Sequence, residues 1–185
     1  MVRQNNEEAL RLYRIGAEAG DLLALTHLGK ALGTGYLGGG ADPARAASWY
    51  RKALEIEPVD ALEEEIQAGA RLGLAALTFQ DPGLVSLEEA ERLTEEARAK
   101  TPLGLEGEIV LSLIQLRLDG AKGPEAAKRL EEIVTGRSAS LRRVLDPRLI
   151  PQFREAARAA LSQAAADGSQ AAGAALARLR ERRGQ

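Results

Sequence analysis

Gly33-Thr34-Gly35-Tyr36-Leu37-Gly38 has the spacing G-x-G-x-x-G, which can cradle the pyrophosphate of a dinucleotide. Three other stretches hold side chains capable of chemistry: the single histidine His27, the acidic run Glu63-Glu64-Glu65, and the aromatic pair Trp49-Tyr50. A dinucleotide loop needs a strand before its glycines and a helix that opens within them. Here HLGKAL (27–32) reads as helix, and the next helix starts only after Asp42-Pro43. No Gly-Lys-Ser/Thr follows the glycines, so they do not form a P-loop either. Their expected work is mechanical: positive φ at a helix end and a tight return of the chain. One imidazole, with no cysteine and no paired acidic motif, makes a poor metal site and an incomplete triad. Consecutive helical residues point about 100° apart, so the three glutamates diverge and read as a solvated face. Trp49-Tyr50 could stack on a ligand but reads as core. With no nucleophile, base and oxyanion donor converging, the chain is expected to be non-catalytic. It is expected to use no cofactor, no metal and no small-molecule substrate.

Composition shows which elements must position these residues. Of 185 residues, 45% are hydrophobic, mostly Ala and Leu, and only 3% are aromatic. Strands favour β-branched and aromatic residues, whereas Ala, Leu, Glu and Arg are strong helix formers. An all-α fold follows. There is no cysteine, hence no disulfide framework and no thiolate chemistry. The net charge of −2 hides an asymmetry: residues from Arg137 onward carry +6, and the preceding 136 carry −8. A basic end of this kind could hold nucleic acid or an anionic surface. The plainer reading is a solvated face that complements the acidic body, so nucleic acid is not the expected partner. MVRQNNEEALRLYR lacks the apolar core of a secretory signal, and IVLSLIQLRL (109–118) contains Gln and Arg and is too short to span a bilayer. No membrane insertion is expected. The chain as given is expected to be cytoplasmic, or periplasmic if a leader has been removed.

Landmarks recur along the chain. Alanine precedes a large apolar residue by three positions at Ala9/Leu12, Ala46/Trp49, Ala90/Leu93 and Ala127/Leu130, with steps of 37, 44 and 37 residues. Leu28-Gly29 and Leu72-Gly73 lie 44 residues apart, each 18 residues before the alanine of the following helix. Such periods mark arrays of helical hairpins, in which neither helix has enough apolar surface to stand alone. Alanine and glycine are expected where two backbones cross closely. Start signals recur too: Asp21 after Gly20, Asp42 before Pro43, Ser86 three residues before Glu89, Gly123-Pro124 and Asp146-Pro147. These predict helices over 6–19, 21–33, 43–56, 60–79, 86–100, 104–119, 124–136 and 149–183, the last broken near Gly168.

Residues 17–55 resemble a Sel-one-like repeat, a class of tetratricopeptide-type solenoid. The resemblance rests on Ala17-Glu18-x-Gly20-Asp21, Leu28-Gly29, the glycine-bearing loop, Asp42, Ala46 and Trp49-Tyr50-Arg51-Lys52-Ala53. Weaker copies extend it over residues 7–136. The second departs at Glu55-Ile56-Glu57-Pro58 and by an insertion near Asp60–Glu65, and the third shortens its loop to Asp119–Gly123. The resemblance implies a right-handed α-solenoid of about three stacked hairpins (1–136), closed by a basic C-terminal helical cap (137–185) in the same domain. It further implies that the first helix of each hairpin lines a concave groove. Thr26, His27, Lys30 and Thr34 would face that groove, followed by Gln67, Arg71 and Thr78, then Glu108, Ser112 and Gln115. The expected function is a scaffold or adaptor that binds a segment of another protein. Two alternatives are an assembly or regulatory subunit of a bacterial envelope or polysaccharide-export complex, and a nucleic-acid or anionic-surface binder acting through the Arg-rich end.

Overall fold

Six helices begin with a side chain that closes the first turn. Asn5, Asp21, Asp42, Asp60, Ser86 and Ser169 each accept from the backbone N–H three residues on, at 2.7 to 3.4 Å. This satisfies one of the donors that a helix N-terminus leaves free. The computed structural model describes residues 5–182 apart from Gly39, Asp119 and Leu145, and only the backbone of Arg143. Gly39 of the glycine stretch, Asp119 of the third loop and Arg183 lie outside the described residues.

Nine α-helices result among the described residues: α1 (Asn6–Glu18), α2 (Leu22–Thr34), α3 (Pro43–Leu54), α4 (Ala61–Ala76), α5 (Leu87–Lys100), α6 (Leu105–Arg117), α7 (Gly123–Thr135), α8 (Ile150–Ala166) and α9 (Gln170–Glu181). No strand occurs among the described residues, and none of their helices is long and apolar enough to cross a membrane. The break expected near Gly168 is present: Gly168 takes φ of 100°, and Ser169 caps α9. Three short 3-10 turns among the described residues were not anticipated. One tightens the end of α4 (Leu77–Phe79), and two (Ala139–Arg143 and Pro147–Leu149) fill the link before α8.

The chain divides into two compact units, Met1–Pro102 and Leu103–Gln185. In the first, each of α1 to α4 packs on the next, and α2 also reaches α4. In the second, α6 packs on α7 and α8, α7 on α8 and α9, and α8 on α9. Contact with both the next helix and the one after is how stacked hairpins cover one another's apolar faces. The division expected at residue 136 falls inside the second unit. Ala157, Leu161, Ala164, Ala172 and Ala175 share one buried cluster with Ala127, Leu130 and Val134 of α7. The C-terminal helices α8 and α9 therefore bury their apolar faces in one cluster with α7.

Three of the four recurring alanines are buried, with Ala46, Ala90 and Ala127 at 1% exposure or less, while Ala9 is half-buried. Leu12, by contrast, remains 54% exposed on α1. The two Leu-Gly landmarks meet the same aromatic side chain. A Cβ on Gly29 would lie 2.8 Å from Tyr50 Cδ1 and Cε1, and one on Gly73 would lie 2.3 Å from Tyr50 Cζ. Both glycines make room for a single buried ring from α3, so one aromatic side chain packs against both α2 and α4.

Candidate functional sites: an aromatic face and an arginine cavity

In the first unit α1 and α2 approach closely because Gly16 has no side chain: a Cβ there would come within 2.7 Å of Ala24 Cβ. The approach stacks Tyr13 on His27, with ring centroids 5.1 Å apart and planes 8° from parallel. At the other end of α2, Gly35 takes left-handed φ of 67° and donates its N–H to Ala31 O. The turn is tight: a Cβ on Gly35 would sit 3.0 Å from Gly40 C and Ala41 N. The folded-back loop brings Tyr36 beside Tyr13. Partial burial, then the neighbouring Tyr13 oxygen, then a side-chain hydrogen bond with it, hold the Tyr36 hydroxyl protonated above the ordinary tyrosine range. Tyr36 remains 48% exposed. The G-x-G-x-x-G glycines thus close a helix: Gly33 lies within α2, and Asp42 already occupies the N-terminus of α3.

The ten residues expected to line a groove have different fates. His27 is half-buried in the stack, and Lys30 and Thr34 are exposed along the same helix. Thr26 is half-buried, and the hydroxyls of Thr26 and Thr34 donate to Leu22 O and Lys30 O, four residues back. Arg71 is mostly covered and pairs with Glu96 of α5 at 3.6 Å. Gln67 is buried, and its amide donates to Ala53 O and Ile56 O, closing the C-terminal end of α3. Thr78 is buried, and its hydroxyl finds no partner among the described residues. In the second unit Ser112 and Gln115 are buried and accept from the guanidinium of Arg129, tying α6 to α7. Glu108, half-buried, accepts from Ser140 Oγ at 2.5 Å. Gln67, Thr78, Ser112 and Gln115 are therefore corrected from surface contacts to packing residues. Polar groups placed between helices must find partners inside the fold.

The second unit holds a site that the sequence indicated only as a general excess of arginine. Glu131 lies on the buried side of α7, beside Leu130 and Val134, with its side chain 7% exposed. Arg178 of α9 donates Nε to Glu131 Oε2 at 2.9 Å, with its Nη2 also at 2.9 Å from that oxygen. Arg182, one turn further on, brings Nη2 to 3.4 Å from Oε1. Gly136 ends α7 at φ of 80°, and the chain turns so that Arg137 Nη2 lies 3.8 Å from the same oxygen. Two of these arginines sit in or just after the last turn of α9 and one just after α7, where cations offset the negative end of the helix dipole. Together with Pro124, Lys128 and Glu132, the four residues line an open cavity of about 450 Å³. A glutamate within the apolar stripe of α7, and arginines spaced i, i+4 on α9, were the available signals. Nothing local to either helix says that they meet.

Among the described residues no three His, Cys, Asp or Glu side chains are grouped to hold a metal ion. Compared with protein-family models, with curated proteins and with solved structures, the chain matches none.

Proposed function

We propose that the chain is a non-catalytic adaptor built on helical hairpins, related in its repeat to the Sel-one-like class, and that it docks a segment of another protein. The observation that carries this reading is the face around Tyr13, His27 and Tyr36. Two of the three tyrosines and the only histidine gather there, partly exposed, beside the exposed Lys30. Aromatic side chains offer large contact area at low entropic cost and dominate the energetics of protein interfaces. Stacking and the tight Gly35 turn hold these rings in place before a partner arrives, which lowers the cost of binding.

The test compares partners recovered by the wild-type chain with those recovered by Tyr36→Ala and Lys30→Glu. Both residues are exposed, so neither change should disturb the core. A partner lost from both variants, while their unfolding midpoints match wild type, is the expected result. Equal recovery by all three chains would refute the docking face. Arg71 is unsuited to this test, because reversing its charge would place two carboxylates together at Glu96.

A further inference from the structure

We propose that the arginine cavity of the second unit is a binding site for a phosphate group, either inorganic or carried as a monoester. The inference is independent of the docking face in the first unit. Three guanidinium groups converge on one carboxylate, and Lys128 and Glu132 complete the ionisable lining. Counting these six side chains leaves two unbalanced positive charges. The carbonyl ends of α7 and α9 return about half a negative charge each, and the cavity stays cationic. A purely structural ion pair would need one arginine. Three around one buried acid repel one another unless further negative charge is supplied.

Glu131 acts as an internal template. It fixes the three forks within 4 Å of its two oxygens, yet it cannot satisfy five N–H donors on each. The arginines are about half-exposed, so the remaining donors are reachable from the cavity. A carboxylate presents two oxygens to such a cluster. A phosphate monoester presents three strong acceptors and close to two negative charges at neutral pH, which suits several cations arriving from different directions. The cavity volume falls at the small end of the range for small-molecule sites. No reaction is implied, since the site offers charge and hydrogen bonds and no nucleophile.

The experiment is calorimetric titration of the full chain at low ionic strength with inorganic phosphate, phenyl phosphate, a short neutral peptide bearing one phosphoserine, and the monoanion dimethyl phosphate. One saturable site per chain is expected for the dianions, with dimethyl phosphate weaker by about tenfold. Phenyl phosphate binding as tightly as the peptide assigns the site to a free ester, and a clear preference for the peptide assigns it to a phosphorylated partner. Arg137→Gln, at the least buried of the three arginines, should weaken phosphate by about fivefold, and Glu131→Gln should tighten it by a similar factor. Thermal unfolding of both variants is followed in parallel. Removing the buried carboxylate lowers stability on either reading, so affinity decides: a structural cluster predicts no gain in affinity for Glu131→Gln. Absence of saturable binding by the wild-type chain, equal affinity for dimethyl phosphate, or affinity unchanged in Arg137→Gln would each overturn the proposal.

Discussion

Gly69 and Gly73 stand one turn apart on α4, and replacing each by alanine should move stability in opposite directions. Alanine is favoured over glycine within a helix by about 1 kcal/mol. At Gly69, which is exposed, the added Cβ meets only Thr26 Cγ2 at 4.0 Å, an ordinary contact, so Gly69→Ala should realise that gain. At Gly73 the same Cβ would lie 2.3 Å from Tyr50 Cζ and 2.4 Å from Oη, where carbon atoms settle at about 3.5–4.0 Å. The ring would have to retreat by more than about 1 Å. Gly29 confines it from α2, since its own virtual Cβ is 2.8 Å from the ring, and Tyr50 is only 4% exposed. Overpacking of a filled core costs about 1–3 kcal/mol. Set against the helix gain, Gly73→Ala should be destabilising by up to about 2 kcal/mol, and the two variants should differ by about 1–3 kcal/mol. Denaturant unfolding followed by fluorescence of Trp49, the only tryptophan and the neighbour of Tyr50 on α3, reads this unit directly. In a Tyr50→Leu background, Gly73→Ala should turn stabilising. If Gly73→Ala is as stable as Gly69→Ala in the wild-type background, the Tyr50 wedge is wrong.

Two further outcomes are expected. Thr78→Val keeps the side-chain shape and removes a buried hydroxyl that has no partner among the described residues, so denaturant unfolding should show a gain of about 1 kcal/mol; a loss would mean that the hydroxyl is satisfied in solution. Tyr36 should titrate above the usual value of about 10, and Tyr13→Phe should lower it by removing the neighbouring oxygen while the burial contribution remains. Because the folded chain holds this proton more tightly, its contribution to stability is complete below the unfolded tyrosine value and is lost as pH rises through the folded one. Phenolate absorbance of the two proteins between pH 9 and 12, about the tyrosine range, compared after allowing for the phenol that the variant lacks, checks the order, and an unchanged Tyr36 midpoint would refute its contact with Tyr13.

Much of the local architecture was legible. Asp21, Asp42, Ser86 and Asp146-Pro147 announced element starts from their own chemistry, and each accepts the capping hydrogen bond expected of it. The break at Gly168 followed from a glycine in an alanine-rich run. Legibility ended where a polar side chain faced another helix. Gln67, Thr78, Ser112 and Gln115 were placed on a groove by counting along their own helices. Whether such a position meets solvent or a neighbour depends on where that neighbour packs. The aromatic face was half visible, because His27 and Lys30 belonged to the expected row while Tyr13 and Tyr36 did not.

The sequence by itself determined that the chain is helical, where its helices start and stop, and which small residues recur. These depend on side-chain entropy, capping oxygens and glycine conformations acting within about four residues of each other. Only the tertiary structure decided that Gly29 and Gly73 serve one tyrosine, that residues after Arg137 share a core with α7, and that Glu131 gathers Arg137, Arg178 and Arg182. Glu131 and Arg178 are 47 residues apart in the chain, and their meeting is set by how α9 packs against α7. Burial then makes the charge balance a property of the assembled cavity, which no segment of the sequence carries alone.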